Sequence, residues 1–370
     1  MNFDFSVIFD NWTLFARGTW LTIVIAIVAK DSPMTDKLTS APKHGHTSML
    51  YSKVHTDLDT LDAHIAFLGI PYGSAYTIDE VTNDQTRAPT AVRQATDRAV
   101  RNLDRYDFDV DGPLYDGRAI KAVDCGDVVG DPKDPGAHYR NAEAAVRKIL
   151  AAGALPLIIG GDHGIPIPVL RAYDDQGPIT LIQIDAHLDW RDHINGVHDG
   201  LSSPIRRASE MAHVKDIFQI GIRAQGTARP EEYEAARAYG SNIITAYELH
   251  DVGMDAILDR IPDGGRYYIT IDADGIDPSV MPAVAGPAFG GVTYAQTRKL
   301  LHGLVTKGRV VGMDIVEITP SKDVNQLTAI AAGRFFVNLI GAAVRADYFG
   351  TKAELETAAG KTMKPAHAAA

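Results

Sequence analysis

The chain alternates between short β-branched apolar runs and longer segments with apolar residues at helical spacing. The apolar runs predict strands at 64–70, 120–124, 155–160, 179–185, 215–221, 241–245, 266–272 and 309–316. The longer segments predict helices at 88–102, 137–152, 164–174, 229–239, 252–261, 293–305 and 325–344. Such alternation indicates an α/β fold: a three-layer α/β/α arrangement with a mostly parallel sheet of about eight strands.

The domain organisation follows from where this pattern holds. No repeat or linker interrupts residues 61–350, which we expect to form one large domain. Residues 1–60 are predicted to be an extension, of which 1–33 are dispensable or not native and the polar remainder packs on a neighbouring subunit. The apolar run Trp20–Ala29 is too short to span a bilayer, so no membrane association is expected. Residues 351–370 form a polar tail.

Composition narrows the class of partner. The net charge is −11 and no basic run is present, which argues against nucleic acid as a partner. An acidic balance also suits a cationic substrate, although only weakly. The single cysteine, Cys125, excludes an intrachain disulfide and is typical of a reducing compartment, so we expect a cytoplasmic protein.

Three short stretches carry metal-ligand side chains, and each follows an apolar run of strand length. They are Gly-Gly-Asp-His at 160–163, Asp-Ala-His-Leu-Asp at 185–189 and Asp-Ala-Asp at 272–274. Ligands of open parallel sheets bind beyond the carboxyl ends of the strands, so these side chains should converge. The predicted metal ligands are His163, Asp185, His187, Asp189, Asp272 and Asp274. If carboxylates bridge, this set can hold two ions, a site that makes a nucleophilic hydroxide at neutral pH.

These motifs, in this order, resemble the ureohydrolases, the family of arginase and agmatinase. Two further segments match: Asp272–Pro278, and Glu317 within Asp314–Pro320. The resemblance spans roughly residues 60–348. It implies the arginase fold, two divalent ions (manganese or nickel) and a homo-oligomer, a trimer or hexamer, with or without a paralogous subunit.

The resemblance also implies roles for individual residues. One ion would be held by His163, Asp185, Asp189 and Asp272, and the other by Asp185, His187, Asp272 and Asp274, so that Asp185 and Asp272 bridge. Asp189 would act as general base and then general acid. Glu317 would pair with the N–H groups of a guanidinium. The products would be urea, or a substituted urea, and an amine or ammonia.

The proton-shuttle histidine of the better-known members has no unique counterpart here. Aligning the loop after the second metal motif on its Ser-Pro-x-Arg segment puts Leu201 at that position. Aligning it on His-x-Gly puts His198 there, and His193 is a further candidate. We take His198 as the candidate catalytic histidine and leave the alternatives open.

The predicted substrate pocket is more apolar than in agmatinases. Where those read Pro-Gly-Thr-Gly-Thr-Pro-Glu, residues 282–288 read Pro-Ala-Val-Ala-Gly-Pro-Ala. We expect Trp190, Val284 and Phe289 to line the pocket together with Glu317. Trp190 can hold a compact cation against its indole face or simply pack in the core. A polar anchor is also missing from Pro71–Tyr76.

These departures favour guanidine itself or a small N-alkylguanidine or biguanide such as metformin. An agmatinase or guanidinobutyrase is the alternative within the family. Two alternatives belong to other classes: a non-catalytic subunit of a hetero-oligomer, and a metal-dependent deacetylase on the same architecture. The full set of metal ligands argues against the former, and Glu317 argues against the latter.

Overall fold

The computed structural model describes residues 37–42, 47–80, 83–100, 102–131, 133–134, 136–226 and 228–356, with the backbone alone for 97–100. The predicted segment 1–33 and most of the tail, 357–370, lie outside the described residues. The described residues from Thr39 onwards belong to one compact unit. Within it, Met49 and Leu50 are buried in the same core as the strands that follow. The boundary predicted at residue 60 stays a prediction.

The described residues form ten strands. They are β1 (Thr39–Ser40), β2 (Lys53–Val54), β3 (Ile65–Ile70), β4 (Ala122–Val128), β5 (Leu155–Gly160), β6 (Ile179–Ile184), β7 (Val214–Ile222), β8 (Asn242–Thr245), β9 (Arg266–Asp272) and β10 (Arg309–Val316). All eight predicted strands are present. The expected count of about eight is wrong, because β1 and β2 add two-residue pairings along the edge of β4. Two residues are too few to leave a hydrophobic pattern in the sequence.

Eight helices of defined bounds accompany the strands in the described residues, and 352–356 form a further helical segment. The eight are α1 (Ala88–Val100), α2 (Ala137–Ala151), α3 (Pro166–Arg171), α4 (Pro204–Ser209), α5 (Pro230–Tyr239), α6 (Ala246–Leu258), α7 (Tyr294–Lys307) and α8 (Leu327–Arg345). Single 3₁₀ turns lie at Met49–Tyr51, Leu58–Thr60, Ile78–Glu80, Asp84–Arg87, Ala273–Gly275 and Pro320–Lys322. The sequence predicts seven of these helices and misses α4, a six-residue helix in which Ile205 is the only large apolar residue. The equally short α3 was predicted because it carries Ile167, Val169 and Leu170.

Helix α6 begins six residues before the predicted position. Thr245 caps its first turn by accepting a hydrogen bond from the backbone N–H of Glu248 (3.1 Å). Gly253 then breaks the helix with a left-handed φ of 81°. The amphipathic pattern after this glycine is regular, whereas the pattern before it is not, so the sequence indicates only the second part.

The ten strands form a single, mostly parallel sheet, as predicted. Their order is β1-β4-β3-β5-β10-β9-β6-β7-β8, with β2 also on β4. Only the β1–β4 pair is antiparallel among the described strands. Helices α1, α8, α7 and α6 contact one another in that spatial order, and α2, α3 and α4 form a second contacting group. Two groups of helices are what a sheet covered on both faces requires.

Helix α8 is the most apolar helix of the described chain. By length and composition alone it could cross a membrane, with a mean hydropathy of 1.7 over its best window. However, 83% of that window is buried inside the fold. Phe335 and Phe336 are fully buried, and Phe336 meets Phe67 of β3 edge-on. The helix therefore belongs to the core.

Candidate metal centre

Four neighbouring strands of the sheet deliver the predicted site residues to one edge. The strands are β5, β10, β9 and β6, in that spatial order. His163 follows β5, Glu317 follows β10, Asp272 ends β9, and Asp185 follows β6. Because all four strands are parallel, their carboxyl ends meet, as the sequence predicts.

The segment after β6 does not continue as a strand. The strand ends at Ile184, so the side chains of 185–189 do not converge through a period of two. Instead Asp189 takes a left-handed φ of 51°. A non-glycine residue in this region is strained, and such strain is held only where surrounding contacts demand it. The turn, rather than a pleated strand, aims Asp189 into the site.

One imidazole lies at the centre of three carboxylates. Nδ1 of His163 is 2.8 Å from Oδ2 of Asp189, 3.0 Å from Oδ2 of Asp185 and 3.1 Å from Oδ2 of Asp272. All four side chains are buried. His163, Asp185 and Asp272 each offer a ligand atom within 4.8 Å of the others, a separation that one metal ion can span.

A second imidazole shares one of these carboxylates. Nδ1 of His187 is 3.5 Å from Oδ1 of Asp185 and 3.1 Å from Oδ2 of Asp274. Asp185, His187 and Asp274 form a second group that can hold an ion. Asp185 therefore turns one oxygen toward each imidazole, which is the arrangement that a bridging carboxylate needs.

The cluster carries more negative charge than its two imidazoles neutralise. Burial raises the pKa of Asp189 to about 7 and, with the charges of Asp274 and Asp185, raises the pKa of Asp272 well above its usual range. Nδ1 of His163 and Oδ2 of Asp189 lie 2.8 Å apart, yet neither has a hydrogen bond from any described residue. A divalent cation would satisfy both atoms, so the donor set fits a metal pair.

Close backbone packing brings the metal motifs of β6 and β9 together. A Cβ on Gly275 would lie 2.5 Å from Cα and the backbone nitrogen of Asp185, so only glycine fits there. The carboxylates are also held by backbone donors: the N–H of Asp274 donates to Oδ1 of Asp272 (2.8 Å), and the N–H of His187 donates to Oδ1 of Asp185 (2.6 Å).

Two buried side chains that the sequence analysis missed support the ligands from behind. Nε2 of Gln183 donates to Oδ2 of Asp185 (2.6 Å). Thr270 lies 3.1 Å from Nε2 of His163. Thr270 stands two residues before Asp272 on β9, and Gln183 stands two residues before Asp185, which directly follows β6. Residues two apart share one face of a strand. This spacing of two residues is the sequence signal that could have identified Gln183 and Thr270.

Glu317 lies directly beside the metal-ligand cluster. Glu317 as a residue is only 7% exposed, and its backbone is left-handed, with a φ of 61°. Oε1 accepts the backbone N–H of His163 (2.8 Å), and Oε2 accepts Nε2 of Gln85 (2.9 Å). Burial raises the pKa of Glu317, although these hydrogen bonds oppose the effect. Gln85 belongs to none of the motifs, so no sequence signal pointed to it.

The candidate histidines of the loop after the second metal motif contact other residues of that loop. The side chain of His198 is 52% exposed and faces Asp192, with 3.5 Å between Nδ1 and Oδ1. The ring of His193 packs on that of His198 at 5.1 Å. Neither has a contact with the metal-ligand side chains among the described residues. Tyr76 holds this loop in place, because its hydroxyl accepts the backbone N–H of Ser202 (2.9 Å).

The predicted pocket residues differ in their surroundings. Trp190 is buried, and its ring lies 5.5 Å from that of Tyr239 on α5. Val284 is buried, and its carbonyl accepts Nζ of Lys322. Phe289, in contrast, is 83% exposed. The assignment of these three residues to the pocket wall stays a prediction.

Known proteins share both the sequence pattern and the fold. The guanidinobutyrase of Pseudomonas aeruginosa is 29% identical over 290 residues, covering 77% of this chain and 87% of that protein. The agmatinase of Serratia proteamaculans is 30% identical over 296 residues, covering 75% and 87%. Among solved structures, proclavaminate amidino hydrolase from Streptomyces clavuligerus superposes with a TM-score of 0.69 at 26% identity, covering 81% and 97%.

A model of the arginase family matches residues 63–341, which include every predicted metal ligand and Glu317. This agrees with the resemblance on which the sequence analysis relied, and with the geometry of the site. The chain belongs to the arginase family, as a metal-dependent ureohydrolase that acts on guanidino compounds.

Proposed function

We propose that this enzyme hydrolyses a C–N bond of guanidine or of a small N-alkylguanidine or biguanide such as metformin. The observation that best supports this placement of the substrate is the hydrogen bond from the backbone N–H of His163 to Oε1 of Glu317. A guanidinium that pairs with the Glu317 carboxylate would lie beside the metal-ligand cluster, with its central carbon within reach of the reacting water.

The metal pair would be held by the six residues that the sequence indicates. His163, Asp185, Asp189 and Asp272 would hold one ion, and Asp185, His187, Asp272 and Asp274 the other. A pair of divalent ions, when bound, lowers the pKa of water and so supplies a nucleophile at neutral pH. We propose manganese or nickel, because carboxylates suit the first and imidazoles suit both.

We assign the proton transfers to Asp189 and the substrate charge to Glu317. The strained turn at Asp189 presents its carboxylate to the centre of the cluster. There it can take a proton from the attacking water and pass it to the leaving nitrogen, which departs as an amine or ammonia. A guanidine would leave urea, and a biguanide would leave a substituted urea. His198 would carry protons to solvent, a role that fits its exposed position.

The apolar segment 282–288 supports a compact substrate. Val284 stands where agmatinases have threonine, and no carboxylate takes the place of their glutamate at Ala288. A distal ammonium or carboxylate would then lose its hydration without gaining a partner. Agmatine or guanidinobutyrate is the second candidate, because relatives that cover most of the chain are an agmatinase and a guanidinobutyrase.

A urea-release assay tests the proposal. The purified protein, loaded with manganese or nickel in parallel, would be given guanidine, methylguanidine, dimethylguanidine, metformin, agmatine and guanidinobutyrate, with released dimethylamine or ammonia measured alongside. We expect the highest kcat/KM with one of the compact compounds. Preference for agmatine or guanidinobutyrate would replace the first candidate with the second, and no release from any compound would overturn both.

We further propose a cytoplasmic homo-oligomer, a trimer or hexamer, that needs no paralogous subunit for activity. The buried thiol of Cys125 supports the cytoplasmic location. The complete ligand set supports activity without a paralogous subunit. Light scattering of the active, metal-loaded protein gives the number of subunits. Activity that appears only after a second, related chain is added would show that the homo-oligomer is incomplete.

A further inference from the structure

Gln85 makes a hydrogen bond that none of the sequence motifs explains. Its amide Nε2 donates to Oε2 of Glu317 (2.9 Å), and Gln85 is only 8% exposed. The two residues are 232 positions apart in the chain. A second contact joins the same two segments, because the backbone N–H of Ser321 donates to Oδ2 of Asp84 (2.6 Å). The 3₁₀ turn Asp84–Arg87 is therefore anchored beside the carboxylate that we assign to the substrate.

The chemistry of the contact fixes which end of the amide faces Glu317. An ionised carboxylate only accepts hydrogen bonds, so Gln85 must present its NH₂ group to it. The carbonyl oxygen Oε1 is then left as an acceptor. No described residue donates a hydrogen bond to Oε1 of Gln85. The amide of Gln85 thus donates to Oε2 of Glu317 and places its own Oε1, a second acceptor, next to that carboxylate.

The Glu317 carboxylate also has acceptor capacity left. Its two oxygens offer about four lone-pair sites, of which the N–H of His163 and the NH₂ of Gln85 occupy two. A free guanidinium carries N–H donors on all three nitrogens, and a carboxylate alone can pair with only one edge of it. A neighbouring neutral acceptor can pair with a further N–H without adding a second negative charge.

We propose that Gln85 is a specificity-determining residue, whose carbonyl accepts an N–H of the guanidinium held by Glu317. The proposal rests on the proposed function, because it requires a guanidinium at Glu317. The substrate feature that Gln85 recognises is an N–H on an unsubstituted guanidinium nitrogen. Methylation of that nitrogen removes the donor and adds bulk in its place, so Gln85 favours guanidinium over its N,N-dimethyl derivative.

Kinetics of the metal-loaded enzyme separate this role from a structural one. Initial rates of urea release would give kcat/KM for guanidinium and N,N-dimethylguanidinium with the wild type, Gln85→Met and the control Gln94→Met. Methionine has nearly the shape of glutamine without its hydrogen bonds, and Gln94 is exposed on α1. In Gln85→Met we expect kcat/KM for guanidinium to fall roughly tenfold or more, since hydrogen bonds to charged groups are among the strong ones. Dimethylguanidinium should lose severalfold less, and Gln94→Met should match the wild type.

The metal content and the thermal midpoint of each variant complete the test. Gln85→Met should retain two ions and a cooperative transition. Should this variant not fold, Gln85→Asn takes its place, because it keeps an amide but withdraws it by one methylene. An equal loss of kcat/KM for both cations, an unchanged kcat/KM for guanidinium, or loss of metal would each overturn the proposal. Failure of the proposed function is separate, because it shows in the wild type as an absence of urea, substituted urea, amine and ammonia release from any guanidino compound.

Discussion

Nε2 of His163 lies 3.1 Å from the hydroxyl oxygen of Thr270. That hydroxyl donates its own proton to Oδ1 of Asp314 (2.6 Å), a carboxylate that also accepts the hydroxyl of Tyr268 (2.6 Å). Thr270 can therefore only accept from the imidazole, which places the ring proton on Nε2. The lone pair of Nδ1 is then directed at the carboxylates of the cluster, in the tautomer that a metal ligand needs.

The first prediction is that Thr270→Val weakens metal binding. Valine has the shape of threonine but leaves Nε2 of His163 without its acceptor, so the tautomer and ring orientation are no longer fixed. Loss of such a supporting hydrogen bond typically costs about 10–100-fold in metal affinity. Competition with a chelator measures the affinity. Thr180→Val, a buried substitution on β6 outside the site, serves as the control. Equal affinities for the two variants would contradict the tautomer argument.

The second prediction concerns the shared carboxylate. Asp185→Asn keeps the size of the side chain but removes the charge that both imidazoles face, so at least one ion and nearly all turnover should be lost. Asp272→Asn should behave in the same way. Elemental analysis of the purified variants gives the metal content, with the exposed Asp175→Asn as a reference. Two retained ions together with a near wild-type rate would show that the bridging assignment is wrong.

The third prediction concerns substrate size. If Val284 and the apolar residues around it line the pocket, the distal ammonium of agmatine has no partner there. An unpaired buried charge costs several kcal/mol, and each 1.4 kcal/mol is about tenfold. We therefore expect kcat/KM for guanidine or dimethylguanidine to exceed that for agmatine by about a hundredfold or more. Comparable values for agmatine would favour the agmatinase alternative.

The fourth prediction concerns pH and His138, which lies on α2 away from the metal ligands. Burial lowers its pKa from 6.5 to about 4, and its Nε2 accepts the backbone N–H of Tyr72 (3.3 Å). Between these two values the unfolded chain binds a proton that the folded chain does not. The free energy of unfolding therefore falls as the pH falls through this window, by roughly 3 kcal/mol for this group.

His138→Gln removes this titration, while its side-chain oxygen can still accept from Tyr72. Urea unfolding at several pH values in the window would compare the variant with the wild type. On acidification through this window, the free energy of unfolding of the variant should fall by roughly 3 kcal/mol less than that of the wild type. The same pH dependence in both proteins would exclude His138 as a contributor.

The local pattern of apolar runs and metal-ligand residues in the sequence determined which residues could form the metal site and where they would meet. Apolar runs of strand length precede His163, Asp185 and Asp272, and a parallel sheet brings the carboxyl ends of its strands to one edge. The eight longer strands and seven of the helices were predicted for the same reason: each carries enough apolar residues to show its hydrophobic pattern. The family motifs then supplied the roles, because ligand type and spacing are local properties of the sequence.

Tertiary structure decided what depends on contacts between distant segments. The pairing of Gln85 with Glu317 joins residues 232 positions apart, and the contact of Thr270 with His163 joins residues 107 positions apart. Neither leaves a periodic signal. The exposure of Phe289 likewise follows from the course of its loop rather than from its apolar side chain. Hydrophobic periodicity reports burial along one element, whereas hydrogen bonds between elements depend on their placement in space, which only the folded chain defines.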